Sequence, residues 1–174
     1  MVAGGDIGNY RYTTSIEIIG SKTSSVPLIP NLPVPLGSHC MAQMDSLTLA
    51  ITGGYTTAGY SDCTRKSYFL NLASKIWTEG PAMIAARGEH GCSFIAGRDG
   101  KPTAIVAGGH VQPSPSRMDS VEIYNRALNK WESGTSLPQK INAFQVIDQN
   151  ILLVNTKLLH LPFYCPRLCC TTTC

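Results

Sequence analysis

The chain has 174 residues, 43% hydrophobic and 14% charged, with 14 basic against 11 acidic side chains for a net charge of +3. That length suits one domain with a sizeable core, and the composition carries neither a disordered nor a collagen-like bias. A charge this small, with no basic run longer than Arg65-Lys66, excludes a nucleic-acid footprint, and no stretch offers the roughly 18 to 20 apolar residues of a membrane helix.

In chain order, the first element is a short apolar run closed by two glycines, Met1-Val2-Ala3-Gly4-Gly5. After a polar loop, Ser15 to Ile19 alternates as a strand should. Val26 and Leu32-Pro33 complete this unit. The second unit opens with a strand near Ser38 to Met44, turns at Asp45-Ser46, and runs through Leu47 to Thr52 into Gly53-Gly54. A polar loop leads to strands at Ser67 to Leu72 and Ile76 to Thr78, the latter containing Trp77.

The third unit is the most complete. His90 to Ala96 reads as its first strand, and Gly97 to Pro102 as a hairpin turn in which Asp99-Gly100 supplies positive-φ residues. Thr103 to Ala107 is too apolar to face water and is expected to be buried on both sides. Gly108-Gly109 ends it, a proline-containing loop follows, and Ser120 to Tyr124 and Lys130 to Glu132 form the third and fourth strands. A fourth unit begins at Phe144 to Ile147 and Ile151 to Val154, with Asn155-Thr156 in place of the glycine pair.

The glycine pairs therefore recur after 49 and then 55 residues, Gly4 to Gly53 to Gly108. A period near 50 residues built of strands and loops, with no helical periodicity, is the signature of stacked four-stranded units. Ser15-Ile16-Glu17-Ile18 echoes Ser120-Val121-Glu122-Ile123 almost residue for residue. The pairs Gly4/Gly5, Gly53/Gly54 and Gly108/Gly109, Tyr124 with Trp131 seven residues on, Trp77, and the Trp77-to-Met83 segment leading to Arg87-Gly88-Glu89-His90 together resemble the kelch repeat family of β-propellers.

The resemblance covers residues 1–155. It implies an all-β, open, roughly three-bladed kelch-type propeller with blades at 1–33, 34–83 and 84–138 and the start of another at 139–155. Residues 156–174 fall outside the repeat. Leu70 and Ile19 stand where Tyr124 stands in the third unit, and Val26 replaces the tryptophan. Propellers commonly have four to eight blades. Three visible blades would leave end faces uncovered, so a truncated product is expected, with self-association as the other way to cover those faces.

No residue set assigns catalysis, a cofactor or a metal. The tail Cys165-x3-Cys169-Cys170-x3-Cys174 with His160 matches zinc-ligand spacing only loosely and reads as a disordered segment. No activating motif accompanies the histidines or cysteines, and His39 and His90 occupy equivalent repeat positions, which suits a shared packing role. A copper-oxidase site of the kind some kelch propellers carry cannot be aligned. Cys40 and Cys92 lie in apolar strands and are expected to be free thiols acting as small hydrophobes. With neither a secretory leader pattern nor an Asn-x-Ser/Thr acceptor, a cytoplasmic, reducing setting is expected.

Binding is the function this leaves. The loops after the glycine pairs hold Tyr10, Arg11, Tyr12, Tyr55, Tyr60, Arg65, Lys66, His110 and Arg117, and Tyr and Arg are enriched at protein interfaces. By resemblance, kelch propellers use such loops to hold a protein or peptide, often selecting substrates for a ubiquitin ligase; an actin-associated scaffold is the alternative.

Overall fold

The structure, a computed structural model, describes residues 1–9, 11–17, 29–56, 62–97, 100–111, 116–142, 144–147 and 152–155. Every regular element among them is a β-strand. Strands β1 (Val2–Ala3) and β2 (Ile16–Glu17) pair antiparallel as a first, short sheet. Strands β3 (Cys40–Asp45), β4 (Thr48–Thr52), β5 (Ser67–Asn71) and β6 (Ile76–Glu79) form a four-stranded antiparallel meander. Strands β7 (Gly91–Ala96), β8 (Pro102–Ala107), β11 (Val121–Asn125) and β12 (Lys130–Ser133) repeat it, and the small hairpin β9 (His110–Val111) and β10 (Ser116–Arg117) is inserted after β8. Strands β13 (Phe144–Ile147) and β14 (Leu152–Asn155) pair in turn.

These sheets are successive blades of an open propeller. Strand β3 lies against β7 and β7 against β13, so the first strands of these three sheets line the inner side of the arc. Turn chemistry sets the meanders. The Asp45 carboxylate accepts the Leu47 N–H at 2.9 Å, the Asn71 side chain accepts from Ala73 and Ser74 at 2.9 Å each, and Asn125 accepts from Leu128 at 3.1 Å. The β7–β8 turn falls partly on residues 98 and 99, outside the described residues, and Gly100 has the expected positive φ of 73°.

The core lies between blades, because each sheet is too small to bury its own faces. Between the second and third blades, Met44, Ala50, Met83, Ala104, Val106, Tyr124 and Trp131 form one cluster, with Phe69, Cys92 and Phe94 packed against it. Phe69 and Tyr124 approach to 5.1 Å between ring centroids, and Tyr124 and Trp131 to 5.5 Å. Between the first and second blades the cluster is Ala3, Leu32, Leu36, Ile51 and Tyr68, with Trp77 at its margin. The two tryptophans do the same second job. Trp77 Nε1 donates to the Pro30 carbonyl and Trp131 Nε1 to the Pro81 carbonyl, each at 3.1 Å, which fastens an outer strand to the segment entering its blade. Strand β8 is buried on both faces from Thr103 to Ala107.

One expectation is overturned here. Cys40 and Cys92 are joined by a disulfide across the inner strands β3 and β7, with Cα atoms 6.0 Å apart. The reason is register. Cys40 pairs with Thr52, directly before a glycine pair, whereas the residue in that position on β7 is Gly91, paired with Ala107. Cys92 is one step further on, and alternate strand residues point to opposite faces. The two thiols therefore face each other between neighbouring blades instead of pointing the same way.

Candidate functional site

The glycine pairs build one rim of the molecule. Gly53 and Gly54 have φ of 57° and 96°. A Cβ on Gly53 would lie 2.3 Å from the Arg87 carbonyl oxygen, and one on Gly54 would lie 2.7 Å from His39 Cβ, so two junction segments approach bare backbone here. That approach makes a repeated bond: Gly5 N–H donates to Leu36 O, Gly54 N–H to Arg87 O and Gly109 N–H to Ile141 O, each at 2.8 Å. Leu36, Arg87 and Ile141 are thus structurally equivalent.

Arg87 is fully buried, and its partners were not legible as a motif. It donates to Gly108 O at 2.7 Å, Ser120 O at 3.1 Å, Ser120 Oγ at 3.0 Å and Glu122 Oε1 at 2.6 Å. Glu122, only 2% exposed, also accepts the Ile84 N–H at 2.6 Å and the Ala85 N–H at 3.0 Å. The pair ties the segment between the second and third blades down onto the third. Between the first and second blades, Leu36 and Tyr68 hold the corresponding positions and pack as apolar groups. Only the Ser-Val-Glu echo in the sequence pointed toward this position.

Next to the glycines lie the two equivalent histidines. His90 Nε2 and Thr52 Oγ1 are 2.9 Å apart and buried. Ala3 occupies the place of Thr52 in the first blade, so His39 lacks that hydroxyl. Burial drives the His39 imidazole down from 6.5 to about 4, against the Leu36 backbone hydrogen bond that raises it. Burial also lowers His90, helped by the positive charge of Arg87 and by His39. Both rings are neutral packing groups at neutral pH, as the repeat equivalence suggested.

A pH dependence follows. The unfolded chain takes up a proton on His39 near pH 6.5, whereas the folded chain resists until about pH 4. Stability from this group is complete above about pH 6.5 and is lost as pH falls toward 4, a loss on the order of 3 kcal/mol. Urea melts from pH 7.5 to 4 are expected to show that slope, and His39→Gln to flatten it. An unchanged slope in the variant would remove His39 as its source.

The post-glycine loops fold back onto this rim. Asp6 bridges to Tyr12, Tyr55 to both Gly37 and Cys63, and Gly88 to His110. Tyr12 lies against Gly37 and Tyr55 against Gly88, where a Cβ would come within 2.2 Å and 2.6 Å of the respective rings. The Tyr55 hydroxyl and His110 Nδ1 are 3.0 Å apart, which links one loop to the next. Ser38 and Glu89, the residues after Gly37 and Gly88, are both at positive φ (49° and 53°), with Glu89 N–H donating to Ser38 O at 2.9 Å. Non-glycine residues held there are strained and cluster at functional sites.

The predicted contact residues divide accordingly. Arg11, Arg65 and Arg117 are exposed, while Tyr12 and His110 are half-buried. Tyr55 is corrected: it is 0% exposed and supports the rim instead of offering itself to a partner. Lys66 is exposed but pairs with Glu79 at 3.1 Å along the sheet edge. Tyr10 and Tyr60 lie outside the described residues, as do Val26, Ile19 and the cysteine-rich tail. Among the described residues no three His, Cys, Asp or Glu side chains cluster to hold a metal, and no helix is long and apolar enough to cross a membrane.

No family profile matches the chain. It is 27% identical over 107 residues to an F-box/kelch-repeat protein of Arabidopsis thaliana, an alignment covering 61% of this chain and 24% of that protein. The solved structure of YjhT matches its fold with a TM-score of 0.56 at 24% identity, over 70% of this chain and 34% of that one. The chain thus spans about a quarter of the curated relative and a third of the solved structure.

Proposed function

Starting from a chain of kelch-type propeller repeats, we propose that it is a protein-interaction module that grips a protein or peptide partner with the loop face beside the glycine pairs. The observation that supports this is the Tyr55–His110 hydrogen bond, which joins one post-glycine loop to the next, together with the exposure of Arg11, Arg65 and Arg117 in those loops. Arginine and tyrosine are among the side chains that carry most of the binding energy at protein interfaces. Selection of substrates for a ubiquitin ligase is the more specific form of the proposal. It is supported by the name of the Arabidopsis relative, which couples kelch repeats with an F-box. A cytoplasmic setting belongs to the same proposal, and there the Cys40–Cys92 pair would be held largely reduced.

The test is cross-linking and mass spectrometry of the tagged chain in cells, beside a variant with Arg11, Arg65 and Arg117 changed to alanine. Partner cross-links are expected on the three loops and to fall at least tenfold in the variant. Cross-links unaffected by the triple change would end the reading. Sedimentation with filamentous actin that survives the same change would favour the scaffold alternative.

A further inference from the structure

The second and third blades are fastened by different chemistry at the two ends of their interface. At the hairpin-turn end the fastening is ionic: Arg126 meets the Asp45 carboxylate at 3.1 Å and donates to the Pro102 carbonyl at 3.1 Å. At the glycine-pair end it is the Cys40–Cys92 disulfide, beside Thr52 and Ala107, the last residues before Gly53 and Gly108. The apolar cluster of Met44, Ala50, Val106 and Tyr124 joins the same two blades without using either bond.

The disulfide also closes a ring. Three residues before Cys40, Gly37 exchanges backbone hydrogen bonds with Tyr55 at 3.0 and 2.7 Å. Four residues before Cys92, Gly88 does the same with His110 at 3.0 and 2.8 Å. The Tyr55 hydroxyl and His110 Nδ1 then meet at 3.0 Å, and Glu89 N–H reaches Ser38 O at 2.9 Å. Among the described residues the disulfide is the only covalent crossing between these blades. Cutting it leaves hydrogen bonds to hold the two junctions at their spacing. Both cysteines are only half-buried, so a small thiol can reach a sulfur without unfolding the chain.

We infer that Cys40 and Cys92 are a redox-operated clasp. As a disulfide they fix the spacing of the Gly37–Tyr55 and Gly88–His110 pairs. As two thiols they release that end of the interface while the Asp45–Arg126 end stays closed. The oxidant is a low-molecular-weight disulfide. One cysteine thiolate attacks it, forming a mixed disulfide and expelling one small thiol. The other thiolate then attacks the protein sulfur of that mixed disulfide and expels the second. The two thiol protons leave on the two small thiols, and the small disulfide gains the two electrons the chain loses. Opening is the same sequence reversed. The clasp needs no partner on the loops, so it stands or falls apart from the binding proposal.

The test keeps the full chain folded and moves it between millimolar reduced and oxidised glutathione. Alkylation with peptide mapping reads the thiols, and amide hydrogen exchange reads the two ends of the interface. Glutathione is expected to open and re-form the bond without denaturant. On opening, exchange at the Tyr55 and His110 amides is expected to rise about tenfold, while peptides spanning the Asp45 and Arg126 turns keep their rates. A rise of equal size at both ends would mean general weakening and would overturn the clasp. Unchanged exchange at Tyr55 and His110 would also overturn it, as would a bond that glutathione opens only in urea. Cys40→Ser with Cys92→Ser is expected to exchange like the reduced chain and to ignore glutathione. A response that persists in that variant would belong to other thiols, and the inference would fail.

Discussion

Arg87→Leu is expected to destabilise the chain by about 3 to 5 kcal/mol, because it strands the Glu122 carboxylate in the interior without its cation. The guanidinium meets Glu122 at 2.6 Å, with side-chain exposures of 0% and 2%, so water cannot replace it. Three further acceptors on Gly108 and Ser120 lose their donor at the same time. The neighbouring junction suggests the rescue. Leu36 and Tyr68 fill the equivalent places with apolar packing, so Arg87→Leu combined with Glu122→Tyr is expected to regain most of the loss. Equilibrium unfolding in urea of the parent, both single variants and the double variant measures this as a cycle. A single variant within about 1 kcal/mol of the parent would show that the buried pair is dispensable.

Reducing the Cys40–Cys92 bond is expected to cost about 4 kcal/mol, the chain-entropy value for a separation of 52 residues. The bond joins inner strands of adjacent blades, which meet otherwise through the cluster of Met44, Ala50, Val106 and their neighbours. That cluster remains after reduction, so the reduced chain is expected to stay folded but weaker. Melts of the oxidised chain with and without a phosphine reductant give the difference, and Cys40→Ser with Cys92→Ser should match the reduced parent. An oxidised sample in which both thiols alkylate without reductant would remove the bond from the account.

Much of the architecture was legible because it is periodic. Gly53-Gly54 and Gly108-Gly109, the apolar run from Thr103 to Ala107 and the tryptophans of β6 and β12 are local signals, and a strand or tight turn answers to its own few residues. The equivalence of His39 with His90 was readable for the same reason. Contacts between blades were not. Tyr55 looked like an exposed loop aromatic, yet its ring lies on Gly88 of the next junction, a neighbour 33 positions away.

By itself, then, the amino-acid order determined the repeat, its strands and the places where the backbone must carry no side chain. Only the tertiary structure decided which residues face each other across blades: Arg87 with Glu122, Cys40 with Cys92, Tyr55 with His110. The physical reason is that strand periodicity fixes the two faces of each sheet, while the partner of a face is chosen by register and stacking between sheets. A shift of one residue, as between Cys40 and Cys92, turns two thiols that would point the same way into a covalent bond.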